Sequence, residues 1–173
     1  MKNIFVVGTS GSGKSTLGKY LANKLNYRYL ELDAIFWLPN WTKRNEDELK
    51  TIIAFEQSQP GGLVLDGNTL SKGAAICPGD AFIFLDFSRP LIVSRVLRRT
   101  LKRVIFRTKL WSGNKEEGKF LFSRDPEINP VLWAYKTHYR RRSEYLELIQ
   151  TLDGVIVHHI RSKRDLKELK QLY

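Results

Sequence analysis

Gly8-Thr9-Ser10-Gly11-Ser12-Gly13-Lys14-Ser15 is the stretch that decides the fold. It fits the pattern G-x-x-x-x-G-K-[ST] at every fixed position. Before it, residues 3–7 form a short apolar run rich in β-formers. After it, Leu17, Leu21 and Leu25 recur at i, i+4 and i+8, so residues 13–25 read as a helix. Strand, glycine-rich turn and helix are the context in which this pattern cradles phosphate. Glycines let backbone N–H groups turn inward around phosphate oxygens. The helix beginning near Gly13 adds its N-terminal partial positive charge. Lys14 supplies a full charge to the β- and γ-phosphates, and the Ser15 hydroxyl is a ligand for Mg²⁺. Gly8, Thr9, Ser10, Gly11, Ser12, Gly13, Lys14, Ser15 and the adjoining Thr16 are therefore the candidate nucleotide-binding residues. The bland alternative is a chance glycine-rich turn.

Strands and helices alternate along the rest of the chain. Residues 27–32 are a second strand candidate. Thr42 is a candidate cap for a helix running to about Ser58, ended by Pro60-Gly61-Gly62. Residues 63–65 and 81–87 read as buried strands, apolar and bounded by turn residues. A helix is predicted from Pro90 through Val104 and another from Pro130 through Ile149, with a last strand over 155–160. Ser162 and Asp165 form a capping-box-like start for a final helix to Leu172. Residues 113–129 are polar, carry two glycines and read as a mobile excursion. Five strands with intervening helices imply an α/β domain, a five-stranded parallel sheet covered on both faces. The expectation is one domain over 1–173, with a lid excursion at about 105–128.

The chain has 173 residues and a formal charge of +11. The excess is confined to residues 88–142, with 15 Lys and Arg against 4 Asp and Glu; the remainder has 14 of each sign. Three readings fit: a solvated basic surface, a polyphosphate clamp, or a nucleic-acid footprint. No run of about 18 apolar residues is present, so no membrane span is expected. The start, one lysine ahead of Ile4-Phe5-Val6-Val7, does not read as a signal peptide. Cys77 is the only cysteine, which points to a reducing, cytoplasmic setting and against a cysteine-based metal site.

A second element of the metal site should be an acid at the end of a neighbouring strand. Asp33, Asp66 and Asp86 all follow apolar runs. Asp66, in Leu63-Val64-Leu65-Asp66-Gly67, is the strongest candidate, with a turn aspartate as its alternative. Asp86 ranks lower, as a residue that caps a strand end.

Three further stretches carry a resemblance. They are Leu32-Asp33-Ala34-Ile35-Phe36-Trp37 with Trp41, then Asp66-Gly67-Asn68, then Leu85-Asp86 ahead of an arginine-rich helix. Together with the glycine loop they resemble the DNA topology modulation protein family, P-loop proteins related to adenylate, shikimate and gluconate kinases. The resemblance covers most of the chain and implies a P-loop NTPase fold, nucleotide binding and a sheet ordered 2-3-1-4-5. By comparison with adenylate kinases, Asp33 and Asp66-Gly67 match acids that organise water around magnesium. Arg95 and Arg99 match the arginine pair of the lid helix, and Arg141 with Tyr145 matches a later nucleotide-binding arginine and its tyrosine. The chain departs from that pattern where adenylate kinases grip the acceptor's phosphate with two arginines. Here those positions hold Phe36 and Leu70.

The resulting expectation is phosphoryl transfer from ATP with Mg²⁺ to a small-molecule acceptor bearing a hydroxyl. Lys14, Arg95 and Arg99 would neutralise charge, and Asp33 would orient or deprotonate the acceptor. Mg²⁺ would be held by Ser15, Asp66 and Asp33. Phe36, Trp37 and Trp41 would offer flat surfaces to the acceptor, or else serve as packing. The rival expectation is a nucleic-acid-associated protein, bound through residues 88–142, in which nucleotide is a regulator or fuel.

Overall fold

A computed structural model describes residues 2–68 and 70–173. The strands are β1 (Asn3–Gly8), β2 (Arg28–Glu31), β3 (Leu63–Asp66), β4 (Ala81–Leu85) and β5 (Ile156–Ile160). They form one five-stranded sheet in the order β2-β3-β1-β4-β5. Every pairing is parallel. The helices are α1 (Lys14–Leu25), α2 (Leu32–Phe36), α3 (Glu46–Ser58), α4 (Arg89–Ile105), α5 (Pro130–Thr151) and α6 (Lys163–Leu172). This is the expected α/β architecture.

The period of two along each strand sorts side chains into two cores. Ile4 and Val6 of β1, Val64 of β3 and Ala81, Ile83 and Leu85 of β4 face one layer, which receives Leu17 and Leu21 of α1, Ile92 and Val96 of α4 and Leu169 of α6. Phe5 and Val7, Leu63 and Leu65, and Phe82 and Phe84 face the other, which receives Leu49 and Ile53 of α3 and Tyr145 of α5. Central β1 is buried throughout. Its apolar residues therefore run without the alternation that one solvated face would impose.

Two expectations need correction. Thr42 does not cap α3. Its carbonyl accepts from Leu38 N at 2.8 Å, and Arg44 N reaches Phe36 O at 2.9 Å, so residues 36–44 fold back on themselves. Asn45 is the cap, its side chain accepting from Asp47 N and Glu48 N at 2.8 and 3.4 Å. Three acids in the first turn then complement the helix N-terminus. The second correction concerns residues 113–129, which are tethered to the body. Buried Asn114 accepts from Trp41 N at 3.0 Å and donates to Leu38 O at 2.9 Å. Trp41 Nε1 donates to Lys115 O, and Ser112 Oγ to Trp37 O. Short 3₁₀ turns at Trp111–Gly113 and Gly118–Phe122 supply the local order.

Candidate active site

The site gathers at the C-terminal ends of β1, β3 and β4, where a parallel sheet with adjacent helix N-termini leaves a crevice. The loop after β1 is tightened by Ser12 N donating to Thr9 O at 3.1 Å. Lys14 Nζ folds back to Thr9 O at 3.2 Å. Gly11 has φ +84°, and a Cβ there would meet Val96 Cγ2 at 2.6 Å and Ile92 O at 3.1 Å. The absence of a side chain at Gly11 is what lets α4 lie directly over the loop. That approach carries Arg95 and Arg99, one helical turn apart, onto it. Arg95 Nη1 reaches Ser12 O at 3.4 Å and its guanidinium lies over the Phe87 ring. Arg99 Nη2 reaches Ser10 Oγ at 3.2 Å. Arg98, between them in sequence, is exposed.

From the opposite layer, α5 brings Arg141. The Asn68 amide stands between Arg141 and Tyr145. The orientation that satisfies all three has Asn68 donating to Tyr145 Oη and accepting from Arg141 Nη2 at 3.1 Å. Burial is the main cause that pushes the Tyr145 hydroxyl up to about 12, opposed by the Arg141 charge. Tyr145 therefore stays protonated at neutral pH.

Lys14 is the focus of this electrostatic field. Loss of water lowers its pKa most, the charges of Asp66 and Asp33 raise it, and those of Arg99 and Arg141 lower it. Asp33 lies in α2 with a solvent-exposed surface, yet protein crowds its carboxyl. Desolvation raises the Asp33 pKa, Lys14 opposes this, and Asp66 and Glu31 raise it further. Asp66 is buried at the end of β3 and accepts from Tyr29 Oη at 2.7 Å. Ser15 stands half-buried on the first turn of α1. Thr16 is exposed on the first turn of α1.

These residues fit a magnesium–polyphosphate group. No cluster of three or more His, Cys, Asp or Glu among the described residues is built to hold a bare metal ion. One hydroxyl and one or two acids suit Mg²⁺, which keeps several waters and takes its other ligands from phosphates. Inside the loop, Ser12 Oγ is buried without a hydrogen-bond partner among the described residues, and so is Nε of Arg99 on α4. Both donors await an acceptor of the kind phosphate oxygens provide.

Asp86 is otherwise engaged. Its carboxylate receives Arg142 Nε at 2.9 and 3.0 Å and contacts His159 Nε2 at 2.8 Å. The aromatic residues after Asp33 are not a row of flat open rings. Phe36, Trp37, Trp41 and Trp111 pack edge to face in sequence, with centroids 4.8, 5.4 and 6.4 Å apart. Edge-to-face packing is the favoured geometry between ring quadrupoles, and it consumes part of each face. Phe36 and Leu70 are half-buried against the second core. Two nearby cations have partners. Lys72 lies over the Phe36 ring and pairs with Glu46 at 3.0 Å, and Arg44 reaches Glu48 at 3.2 Å.

The basic segment divides along these lines. Arg95 and Arg99 contact the loop, and Arg141 reaches Asn68 after β3. Arg142 neutralises Asp86, Arg103 neutralises Glu116 at 2.7 Å, and Arg89 lies against the Tyr135 and Tyr139 rings. Sequence reasoning missed Tyr29, Trp111 and Glu116, and singled out Asn68 only as part of the Asp66-Gly67-Asn68 stretch. For Tyr29 a signal existed in Gly18, an otherwise costly glycine inside a helix.

The shikimate kinase family model matches residues 10–58, which span the loop, α1 and the Asp33 segment. A shikimate kinase of Sulfurihydrogenibium sp. (strain YO3AOP1) is 57% identical over 35 residues, 20% of this chain and 21% of that protein. The uncharacterized protein YqaC of Bacillus subtilis (strain 168) is 44% identical over 104 residues, 59% of this chain and 58% of that protein. The chain thus spans between about a fifth and three fifths of the length of these relatives. A shikimate kinase of Rippkaea orientalis (strain PCC 8801 / RF-1) is matched over 87% of this chain and 89% of that protein, at 25% identity. Among solved structures, shikimate kinase from Bacteroides thetaiotaomicron shares the fold with a TM-score of 0.54 at 12% identity, over 99% of this chain and 95% of that one. The family model and these relatives show similarity to shikimate kinases, strongest over the loop and the helix after it, and the solved structure shares the fold. No helix among the described residues is long and apolar enough to cross a membrane.

Proposed function

We propose that residues 1–173 work as one kinase unit that transfers the γ-phosphoryl group of ATP to a hydroxyl on a small, neutral acceptor, nucleosides included. The observation that carries this reading is that Lys14, Arg95 and Arg99 contact one glycine loop, with Arg141 at Asn68 and Asp33 close enough to act on the Lys14 charge. Phosphoryl transfer needs little covalent help from a protein. It needs alignment and positive charge around an in-line displacement. In this reading Lys14 and the arginines bind the phosphate oxygens. The acceptor oxygen attacks the γ-phosphorus, the bond to the β–γ bridging oxygen breaks, and the acceptor proton passes to Asp33. Mg²⁺ adjoining Ser15 would neutralise charge on the β- and γ-oxygens. Desolvation raises the Asp33 pKa above that of a free carboxylate, which makes it a better proton acceptor.

The acceptor class follows from what is absent beside Asp33. A phosphate packed against Phe36 and Leu70 would be desolvated without a partner and would face the Asp33 carboxylate, at a cost of several kcal/mol. Arg124 and Arg140 are exposed, and Arg140 leans toward Glu144. The resemblance to the DNA topology modulation family belongs to this reading as ancestry. As a partner, nucleic acid has less support, because much of the basic segment is spent on the loop and on internal pairs.

The test is ADP release at fixed Mg·ATP, comparing each nucleoside with its monophosphate. Higher kcat/KM is expected for nucleosides. Lys14→Ala should abolish the thermal stabilisation by Mg·ATP, about 2.7 kcal/mol at a hundredfold excess over Kd. Preference for monophosphates would overturn the acceptor assignment. An undiminished shift in Lys14→Ala would overturn the loop assignment.

A further inference from the structure

We infer that the outward face of α4 is a docking surface for an anionic lipid bilayer, on which the chain lies without crossing it. Leu97, Leu101 and Ile105 recur at i, i+4 and i+8 on α4, and they are 41, 43 and 70% exposed. Helical periodicity puts the three in one stripe and sets Arg98 and Lys102 in the strip beside it. Phe106, at the C-cap, is 74% exposed, and exposed Arg107 and Lys109 follow it. The inner side of the helix is separately occupied. Ile92 and Val96 enter the core, and Arg95 and Arg99 reach the glycine loop. The exposed stripe is thus a second apolar face on a helix that already has one.

Charge decides what covers it. Residues 88–115 hold nine Lys and Arg and no Asp or Glu. Among the described residues, the side chains of Arg98, Lys102, Arg107 and Lys109 make no ion pair. The occupant must therefore be anionic. It must also be apolar just beneath its charge, because large apolar side chains interleave with these cations. A bilayer with acidic headgroups has both properties. Cations stay among the headgroups while apolar side chains sink about 5–10 Å toward the acyl chains. Nucleic acid would take the cations through its phosphates but gives a stripe of aliphatic side chains little to pack against. A second copy meeting this face symmetrically would set Arg98 and Lys102 against their own equivalents.

The experiment is co-sedimentation of the full chain with vesicles of phosphatidylcholine alone, or of phosphatidylcholine with an equal part of phosphatidylglycerol. Binding is expected to the mixed vesicles only, and it should weaken as salt rises. Arg98→Gln with Lys102→Gln should weaken it by about 25-fold, about fivefold per charge. Ile105→Ser with Phe106→Ser should weaken it by at least about tenfold, through lost apolar burial. All four side chains are exposed, so both double variants should keep the wild-type melting midpoint. Should the apolar double variant melt lower, Leu101→Ser makes the same comparison. Equal binding to both kinds of vesicle overturns the inference, as does no binding to either. So does wild-type binding by the apolar double variant, because charge alone would then explain the attraction. Tighter binding to a duplex DNA oligonucleotide, lost in the charge double variant and kept in the apolar one, would make nucleic acid the partner instead. A dimer in sedimentation velocity that the apolar double variant abolishes would assign the face to a second copy. None of these readouts depends on phosphoryl transfer, so failure here leaves the kinase reading untouched.

Discussion

Arg99→Met separates a charge held for catalysis from one held for stability. Among the described residues the Arg99 guanidinium hydrogen-bonds Ser10 Oγ at 3.2 Å, while its Nε is buried without a partner. A hydrogen bond to a charged group contributes about 1.5–3 kcal/mol, and an unsatisfied buried polar group costs about 1–3 kcal/mol. Burial lowers the Arg99 pKa most, neighbouring Arg103 adds to that, and Glu116 opposes it. Glu116 keeps its own partner in Arg103, so loss of Arg99 does not orphan it. Methionine fills the space of the aliphatic stem. The terms nearly cancel, and the unliganded variant should unfold within about 1 kcal/mol of wild type. Turnover should fall by about 10³-fold, equivalent to about 4 kcal/mol of transition-state stabilisation, because the guanidinium is directed at the loop where charge develops. Denaturant unfolding measures the first quantity. ADP release, with water or an identified hydroxyl compound as acceptor, measures the second. A variant with wild-type turnover and a loss of about 3–5 kcal/mol, the signature of a broken buried ion pair, would refute the reasoning.

Two further outcomes are expected. Asp33 has a raised pKa when folded, so ionising it costs stability above that pKa, and the cost disappears below the unfolded value of about 3.9. Asp33→Asn should therefore raise the denaturant midpoint at neutral pH, with the gain shrinking to nothing as pH falls through the carboxylate range, and turnover should drop; a midpoint difference independent of pH would show that the shift is absent. Asn114→Ala removes the bonds to Trp41 N and Leu38 O, each group costing about 1–3 kcal/mol if left unsatisfied. Tryptic cleavage at Lys109 or Lys115 should accelerate well before global unfolding, and unchanged cleavage would mean that the excursion is held by other contacts.

What the sequence by itself determined is the local chemistry and the architecture that follows from it. The spacing of Gly8, Gly13, Lys14 and Ser15 is set by the size of a phosphate chain, so it is legible without coordinates. The leucines of α1 and the apolar runs of β1 and β4 encode period and burial in the same local way. The Ser162–Asp165 capping box, complete in the structure, needs only four consecutive residues. Where the local signal was ambiguous, the reading slipped. Thr42 and Asn45 are both competent caps, and the fold-back held by Trp37 and Lys43 decided between them.

Only the tertiary structure decided which side chains share a site. Arg99 meets Ser10 across 89 residues, Trp41 meets Asn114 across 73, and Tyr29 meets Asp66 across 37. No spacing rule operates over such distances, because those contacts depend on how helices seat on the sheet. The charge of residues 88–142 was legible as a total. Its division into loop-facing arginines, the Asp86 and Glu116 pairs and an exposed remainder was not. Burial discriminates among chemically identical guanidiniums: it is favourable only where a carboxylate, a ring face or a phosphate site compensates the lost water.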